Sequence, residues 1–303
     1  MRPARPDAPR RPFPEVPGVT HRFVSARGVA FHLAEAGPAD GEPVLLLHGF
    51  TQHWYTWHRV LPELADDHRL ICLDLRGCGW SQAPGRGYHS AGLVQDVLAV
   101  MDELALERVR LIGHECGGWL GFLLCLAAPE RFDGYLALNT SHPWRRAKGR
   151  LPLDAWRFWY TAAWEYPGIG RRVLRHWPGF TRFLLRHWTA DPSCWEPAVL
   201  EEFVQALRAP QRARAGEQLL WQFVLHDIPA LATGRYREQR LAVPTLMLCG
   251  DRDPVTRPAR EVPGVTVRVV PGGRLLPEEN PRAVADAARE HFRTAGMPGA
   301  ERS

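Results

Sequence analysis

Apolar and polar positions along the chain follow two rhythms that alternate. Strand-like runs, either two-residue alternation or unbroken apolar character, fall at Thr20–Ser25, Val29–Gly37, Val44–Leu47, Leu70–Leu75, Val109–Ile112, Tyr135–Asn139, Pro244–Cys249 and Val265–Val270. The first two, joined at Arg27-Gly28, read as an antiparallel pair, and the unbroken runs as strands buried on both faces. Helical spacing appears between them, at Ala91–Leu106 through Leu93, Val94, Val97, Leu98, Met101 and Leu104, and again at Pro281–Phe292. This alternation predicts an α/β fold, a mostly parallel twisted sheet flanked by helices with right-handed crossovers.

From Pro143 to about Arg240 the strand rhythm disappears. Only helical segments broken by Pro and Gly remain: Leu153–Glu165, Gly170–Trp177, Phe180–Trp188, Ala198–Leu207 and Gln211–His226. The expected division is therefore a core at 20–143 and 241–294, an inserted helical lid at 144–240, and tails at 1–19 and 295–303. Of the twelve tryptophans, seven (Trp156, Trp159, Trp164, Trp177, Trp188, Trp195, Trp221) fall in the insert. They are enough to supply its own core and also to line an apolar pocket beneath it.

One stretch carries the chemistry. In VRLIGHECGGWLG, Val109 to Gly121, a β-branched run enters a Gly-x-x-x-Gly-Gly turn from which an apolar helix leaves, running to about Ala128. This is the setting of a nucleophile elbow, in which small residues let strand and helix approach and the central side chain projects above the sheet. The central residue is Glu115. Upstream, His48-Gly49-Phe50 ends a buried strand in a tight turn able to aim a backbone N–H at the same point.

Composition adds bounds rather than chemistry. The chain has 303 residues, 45% of them hydrophobic, and no apolar run long enough to span a bilayer. The opening MRPARPDAPRRP lacks the apolar stretch of a secretory signal and reads as a disordered tail. The six cysteines have no metal-ligand spacing and read as reduced thiols of a cytoplasmic protein; no metal or cofactor is expected. The net charge of +5 comes almost wholly from arginine, since Lys148 is the only lysine. Spread over the surface, such a charge predicts neither a nucleic-acid nor a membrane partner; the expected partner is an apolar small molecule, and a homodimer is left open.

In order and spacing, HGFTQHWYTW, DLRGCGWS, GHECGGW, NTSHPW, the helical insert and GDRDPV resemble the α/β-hydrolase superfamily, in its epoxide-hydrolase-like branch, over residues 20–294. The resemblance implies an α/β-hydrolase fold with a helical lid. It implies an elbow carboxylate that attacks an epoxide to give an ester, and a histidine, oriented by an acid, that activates water to cleave it. It places the carboxylate at Glu115, the orienting acid at Asp253 in preference to Asp251, and the oxyanion-hole N–H donors at Phe50 and Cys116. Lid aromatics and loop residues, namely Tyr160, Tyr236, Trp159, Trp54 and His53, become candidates to bind substrate.

Two departures from that pattern change the expected chemistry. The histidine loop reads Gly273-Arg274-Leu275-Leu276-Pro277-Glu278-Glu279, so Arg274 occupies the position of the base. An arginine stays protonated and cannot take a proton from water. Glu115 stands where the branch carries aspartate and is longer by one methylene, which moves the carboxylate by roughly an ångström. Cys116 also replaces a tryptophan whose indole holds halide in related dehalogenases, which disfavours dehalogenation.

Other histidines are weak substitutes for the base. His114 is expected to point away from Glu115, while His48 and His142 read as structural and His291 as a surface residue. His53, on the loop over the oxyanion position, is the best remaining candidate. Three readings follow. Glu115 acts by acid/base or epoxide-opening chemistry on an apolar molecule of secondary metabolism, or residual hydrolysis persists, or the protein is an inactive relative that binds a ligand or partner. In each, Asp253 and Arg274 are expected to form an ion pair near Glu115.

Overall fold

The strand runs pair into one sheet of eight, in the order β1-β2-β4-β3-β5-β6-β7-β8. In the computed structural model, which describes residues 11–144, 163–255, 262 and 264–295, the strands are β1 Thr20–Ala26, β2 Val29–Ala36, β3 Glu42–Leu47, β4 His68–Leu73, β5 Val109–His114, β6 Phe132–Leu138, β7 Thr245–Gly250 and β8 Val265–Val270. β2 runs antiparallel to both β1 and β4, and every other pairing is parallel. The hairpin turns at Arg27-Gly28, both at positive φ, as its sequence indicated.

Alternation within the central strands builds a core on each side of the sheet. Leu45, Leu47, Leu111, Tyr135 and Ala137 face one side, where α2 (Ser90–Glu103) and α3 (Cys116–Ala127) pack through Val97, Met101, Leu120 and Phe122. Val44, Leu46, Ile112, Leu136 and Leu138 face the other, against α1 (Leu61–Leu64) and the closing helix at Pro281–Ala295, through Leu61, Leu64, Val284, Ala288 and Phe292. A buried aliphatic or Phe side chain contributes about 1.5–3 kcal/mol by its removal from water. The unbroken apolar runs thus have their cause: both faces are covered.

The structure trims two expected helices. The first ends at Glu103 instead of Leu106, because Ala105 turns to φ 53°. In the insert, the described helices are α4 (Gly170–His176), α5 (Pro178–His187), α6 (Pro197–Ala206) and α7 (Pro210–Gln222). α7 does not continue regularly to His226; Phe223–Asp227 widens into a π turn ahead of the short α8 (Ile228–Ala232), in whose first turn Pro229 lies. The wide turn buries Asp227, whose carboxylate accepts from Ser90 Oγ at 2.7 Å and Trp119 Nε1 at 3.1 Å and so ties the insert to α2 and α3. The segment expected at Leu153–Glu165 lies largely outside the described residues. Among the described residues, no helix is long and apolar enough to cross a membrane.

Beyond β8 the chain forms α9 (Leu276–Glu279), too short to be seen in the apolar spacing, and then α10, the closing helix. Glu278 on α9 is 1% exposed. Facing it are the His58 ring, with Nδ1 3.7 Å away, and the Arg59 guanidinium, with Nε 4.0 Å away. Neither carboxyl oxygen has a hydrogen-bond partner among the described residues. Burial pushes this acid up to about 8, Arg59 pulling against it.

A carboxyl whose folded value lies above its unfolded one costs stability as pH rises between the two. Glu278 therefore takes away stability from about pH 4.5 to about pH 8, by up to about 1.4 kcal/mol per pH unit, while the buried histidines with lowered values, His21 and His48 among them, add stability up to about pH 6.5. Urea unfolding midpoints measured across that range will show the net slope, and Glu278→Gln is expected to make it more positive than in the native chain. An unchanged slope in that variant would mean that Glu278 is not the source.

Candidate active site

The parallel strands converge at their C-terminal edge, where ligands of open α/β sheets are bound. Glu115 follows β5 at φ 51° and ψ −110°, and its carbonyl accepts the Trp119 N–H of α3 at 2.9 Å. Thr51 after β3 and Asn139 after β6 also hold positive φ, at 69° and 43°. Such conformations cost about 1–3 kcal/mol each and gather at functional sites. Glycines make the elbow possible. A Cβ on Gly117 would collide with the carbonyls of Leu47 and His48, and one on Gly49 would lie 2.7 Å from Glu115 Oε2.

That oxygen accepts the Phe50 N–H at 2.6 Å. Of the two expected backbone donors, Phe50 alone reaches the carboxylate; the Cys116 N–H makes no hydrogen bond to it. Glu115 Oε1 accepts from the Arg274 guanidinium, through NH2 at 2.6 Å. Through NH1, the same guanidinium lies 3.6 Å from Asp253 Oδ2. Arg274 is thus held between two carboxylates, with Glu115 11% and Asp253 0% exposed at the side chain. Burial alone would lower its pKa, but the two anions outweigh that and raise it, so Arg274 stays a cation.

Asp253 is the acid at the bridge. It accepts from Asn139 Nδ2 at 2.9 Å and from the Val255 N–H at 2.8 Å. Asp251 is exposed and caps the Gly272 N–H instead. Three supporting residues escaped the sequence reading. Asn139 also donates to the Gly273 carbonyl at 3.0 Å, Thr140 Oγ1 donates to the Glu115 carbonyl at 2.7 Å, and Trp188 accepts the Arg274 N–H at 2.8 Å. The Trp188 ring lies 5.6 Å from the guanidinium carbon. The signal for Asn139 was its place at the end of a buried strand, since Asn tolerates the left-handed region better than other residues with a Cβ.

The other candidates lie elsewhere. Trp54 is in the core rather than at the carboxylate, fully buried with its backbone N–H donating to Asp74 Oδ1 at 2.7 Å. Tyr236 packs edge-on to Trp119 at 6.1 Å. Tyr160 and Trp159 fall outside the described residues. His53 is buried against Trp80 and Phe203, its Nε2 3.4 Å from Glu202 Oε1. It borders a cavity of about 10 Å³ behind the Phe50 loop, room for one water. A larger cleft of about 680 Å³ opens at the opposite edge, around Glu42, His68 and Arg110, away from Glu115.

The remaining histidines are accounted for by packing. His48 Nε2 accepts the Leu75 N–H, so its Nδ1 donates to the Gly49 carbonyl, and burial lowers it to about 4. His114 Nε2 meets the Arg274 carbonyl at 2.9 Å, which leaves the ring bracing the arginine loop. His142 stacks on Trp144, and the half-buried His291 meets the Pro244 carbonyl. Burial, with Glu115 adding to it, keeps the Cys116 thiol protonated, so the neighbour of the elbow residue is no thiolate.

Comparison with known proteins agrees with this fold. The family described as alpha/beta hydrolase fold matches residues 42–264. Epoxide hydrolase 4 of Mus musculus is 36% identical over 41% of this chain, but only 36% of that protein is covered, so the chain spans about a third of the curated relatives matched there. The AB hydrolase superfamily protein YfhM of Bacillus subtilis is 31% identical over 86% of this chain and 90% of its own length. Among solved structures, the epoxide hydrolase CorEH without ligand superposes with a TM-score of 0.80 at 25% identity, covering 91% of this chain and 99% of that one. With its sheet order, elbow and family match in agreement, the chain belongs to the α/β-hydrolase family.

Proposed function

We propose that the protein is an enzyme acting on an apolar small molecule of secondary metabolism through the Glu115 carboxylate. Acid/base or epoxide-opening chemistry fits the site better than ordinary ester hydrolysis. One observation carries this reading: the elbow carboxylate, held by the Phe50 N–H on one oxygen, meets a fixed cation on the other where a water-activating base would be needed. A carboxylate in that position can take or return a proton, or open a strained ring. The guanidinium has no free lone pair with which to activate water for a second step.

Trp164, Trp188 and Phe50 pack together beside the site, which supports an apolar substrate. The Phe50 and Cys116 N–H groups are the donors that would stabilise an oxyanion, the Phe50 one once it leaves Glu115. A second reading, a ligand-binding relative without turnover, is favoured by the engagement of both Glu115 oxygens.

Restoring the missing parts tests the first reading. Glu115→Asp with Arg274→His supplies a shorter carboxylate and a base that Asp253 already stands ready to orient. It is expected to convert aromatic epoxides to diols, Arg274→His alone converting them less. Glu115→Asp alone is expected to gain the mass of the epoxide, as an ester that nothing cleaves. If both folded variants give neither diol nor adduct, the ligand-binding reading carries the weight.

The bridge can be measured apart from the chemistry. Arg274→Met leaves Glu115 and Asp253 facing each other without a cation, and is expected to cost about 3–5 kcal/mol in urea unfolding at neutral pH. The loss should shrink as acid protonates the two carboxylates. A pH-independent loss would point to packing alone.

A further inference from the structure

Residues 166–190 contain five arginines and no aspartate or glutamate. They form α4 and α5, two amphipathic helices joined at Trp177, and each buries one face. Val173 and Leu174 go inward from α4; Thr181, Leu184 and Leu185 go inward from α5. The opposite face of α4 carries Arg172, Arg175 and His176, three and four residues apart. On α5 the outward residues are Phe183, Arg186 and His187, with the Phe183 and His187 rings stacked at 5.5 Å.

Large apolar groups stand in water on this surface. Trp177, at the corner where the two outer faces meet, is 66% exposed, Phe183 57%, and Ile169, leading into α4, 49%. Arg182 pairs with Glu201 at 2.8 Å and Arg171 leans toward the buried Glu217 at 4.0 Å. Arg172, Arg175 and Arg186 have no ion-pair partner among the described residues, and Arg208 adds its guanidinium beside Arg175 by donating to that residue's carbonyl.

We propose that this face, Ile169, Trp177 and Phe183 rimmed by Arg172, Arg175 and Arg186, docks on a bilayer carrying acidic phospholipids. Amphipathic helices that present arginine beside aromatic groups insert the rings at the headgroup level while the cations meet lipid phosphate. A second copy of the chain fits poorly, because the arginine rims would oppose each other. A single-stranded nucleic acid needs a groove, whereas these are the outer sides of a helix pair. The proposal departs from the membrane-free expectation drawn from net charge, which treats the arginines as scattered; the fold gathers them. Continuous with α5, Trp188 supplies the carbonyl that receives the Arg274 N–H, so the lipid face and the candidate site share a helix. The docking itself does not depend on what Glu115 does.

The test is flotation of the full chain with vesicles. One set is pure phosphatidylcholine, the other equal parts phosphatidylcholine and phosphatidylglycerol. The chain is expected to float with the acidic vesicles only and to be released by salt. Each arginine near such a surface strengthens binding about 5-fold, so Arg172→Gln, Arg175→Gln and Arg186→Gln together are expected to weaken partition about 100-fold. Trp177→Ser with Phe183→Ser should also reduce it, with circular dichroism unchanged in both variants. Flotation with neither set, equal flotation with both, or binding unaffected by the substitutions would overturn the proposal. So would retention of homopolymeric RNA in place of vesicles, or a dimer in gel filtration that Trp177→Ser dissociates.

Discussion

A cation enclosed by two carboxylates governs the candidate site. Taking the Arg274 guanidinium out of water is costly, and the cost is met only where anions and good geometry replace the lost hydration. Glu115 at 2.6 Å and Asp253 at 3.6 Å supply that replacement, and the Trp188 carbonyl and ring fix the backbone and one side of the arginine. The two departures that the resemblance implies are therefore one feature. Glutamate in place of aspartate extends the carboxylate toward the guanidinium, and arginine in place of histidine gives that carboxylate a partner. Either change alone would leave a buried charge less well matched.

The bridge depends in turn on the close approach of β3, β5 and α3. Gly49 and Gly117 leave no room for a Cβ, so the Phe50 N–H comes within 2.6 Å of the carboxylate that Glu115 projects from its strained turn. Strain at Thr51, Glu115 and Asn139 is carried by a sheet whose central strands are covered on both faces. A looser core would let these residues relax, and the convergence of three loops on one carboxylate would be lost.

How legible all this was in the sequence varied with the physical source of each feature. The sheet was read almost strand for strand: burial on both faces writes unbroken apolar runs in the central strands, and the partly exposed edge strands β1 and β8 show in the chain as short β-branched or alternating stretches. The elbow was legible from three glycines, and the bridge from the charges at Glu115, Asp253 and Arg274. Lost from view were features set by distant contacts. Asn139 and Thr140 look like the plain end of a strand until β7 and the arginine loop are placed beside them. Trp54 looks like a loop aromatic until Asp74 draws its N–H into the core. The turn at Phe223–Asp227 has helical spacing, and only Ser90 and Trp119, far along the chain, pull Asp227 inward. The clustering of arginines on α4 and α5 was hidden by averaging charge over the whole chain.

Replacing a histidine by an arginine also changes how the site answers to pH. A histidine oriented by an acid titrates near neutrality, and an enzyme that uses one gains or loses its base there. Arg274 holds its proton throughout, its pKa raised further by the two carboxylates. His48, lowered to about 4, is neutral over the same range, and burial lowers the His114 ring as well. Arg274 therefore keeps its charge beside Glu115 where a histidine in its place would switch. Any response near neutral pH has to enter from a group outside the bridge, and Glu278, at about 8 and four residues beyond Arg274 on the same loop and helix, is placed to provide it. Ionising Glu278 would put an unpaired charge under the segment that carries the arginine. The bridge would then feel pH through the position of Arg274 and not through its charge.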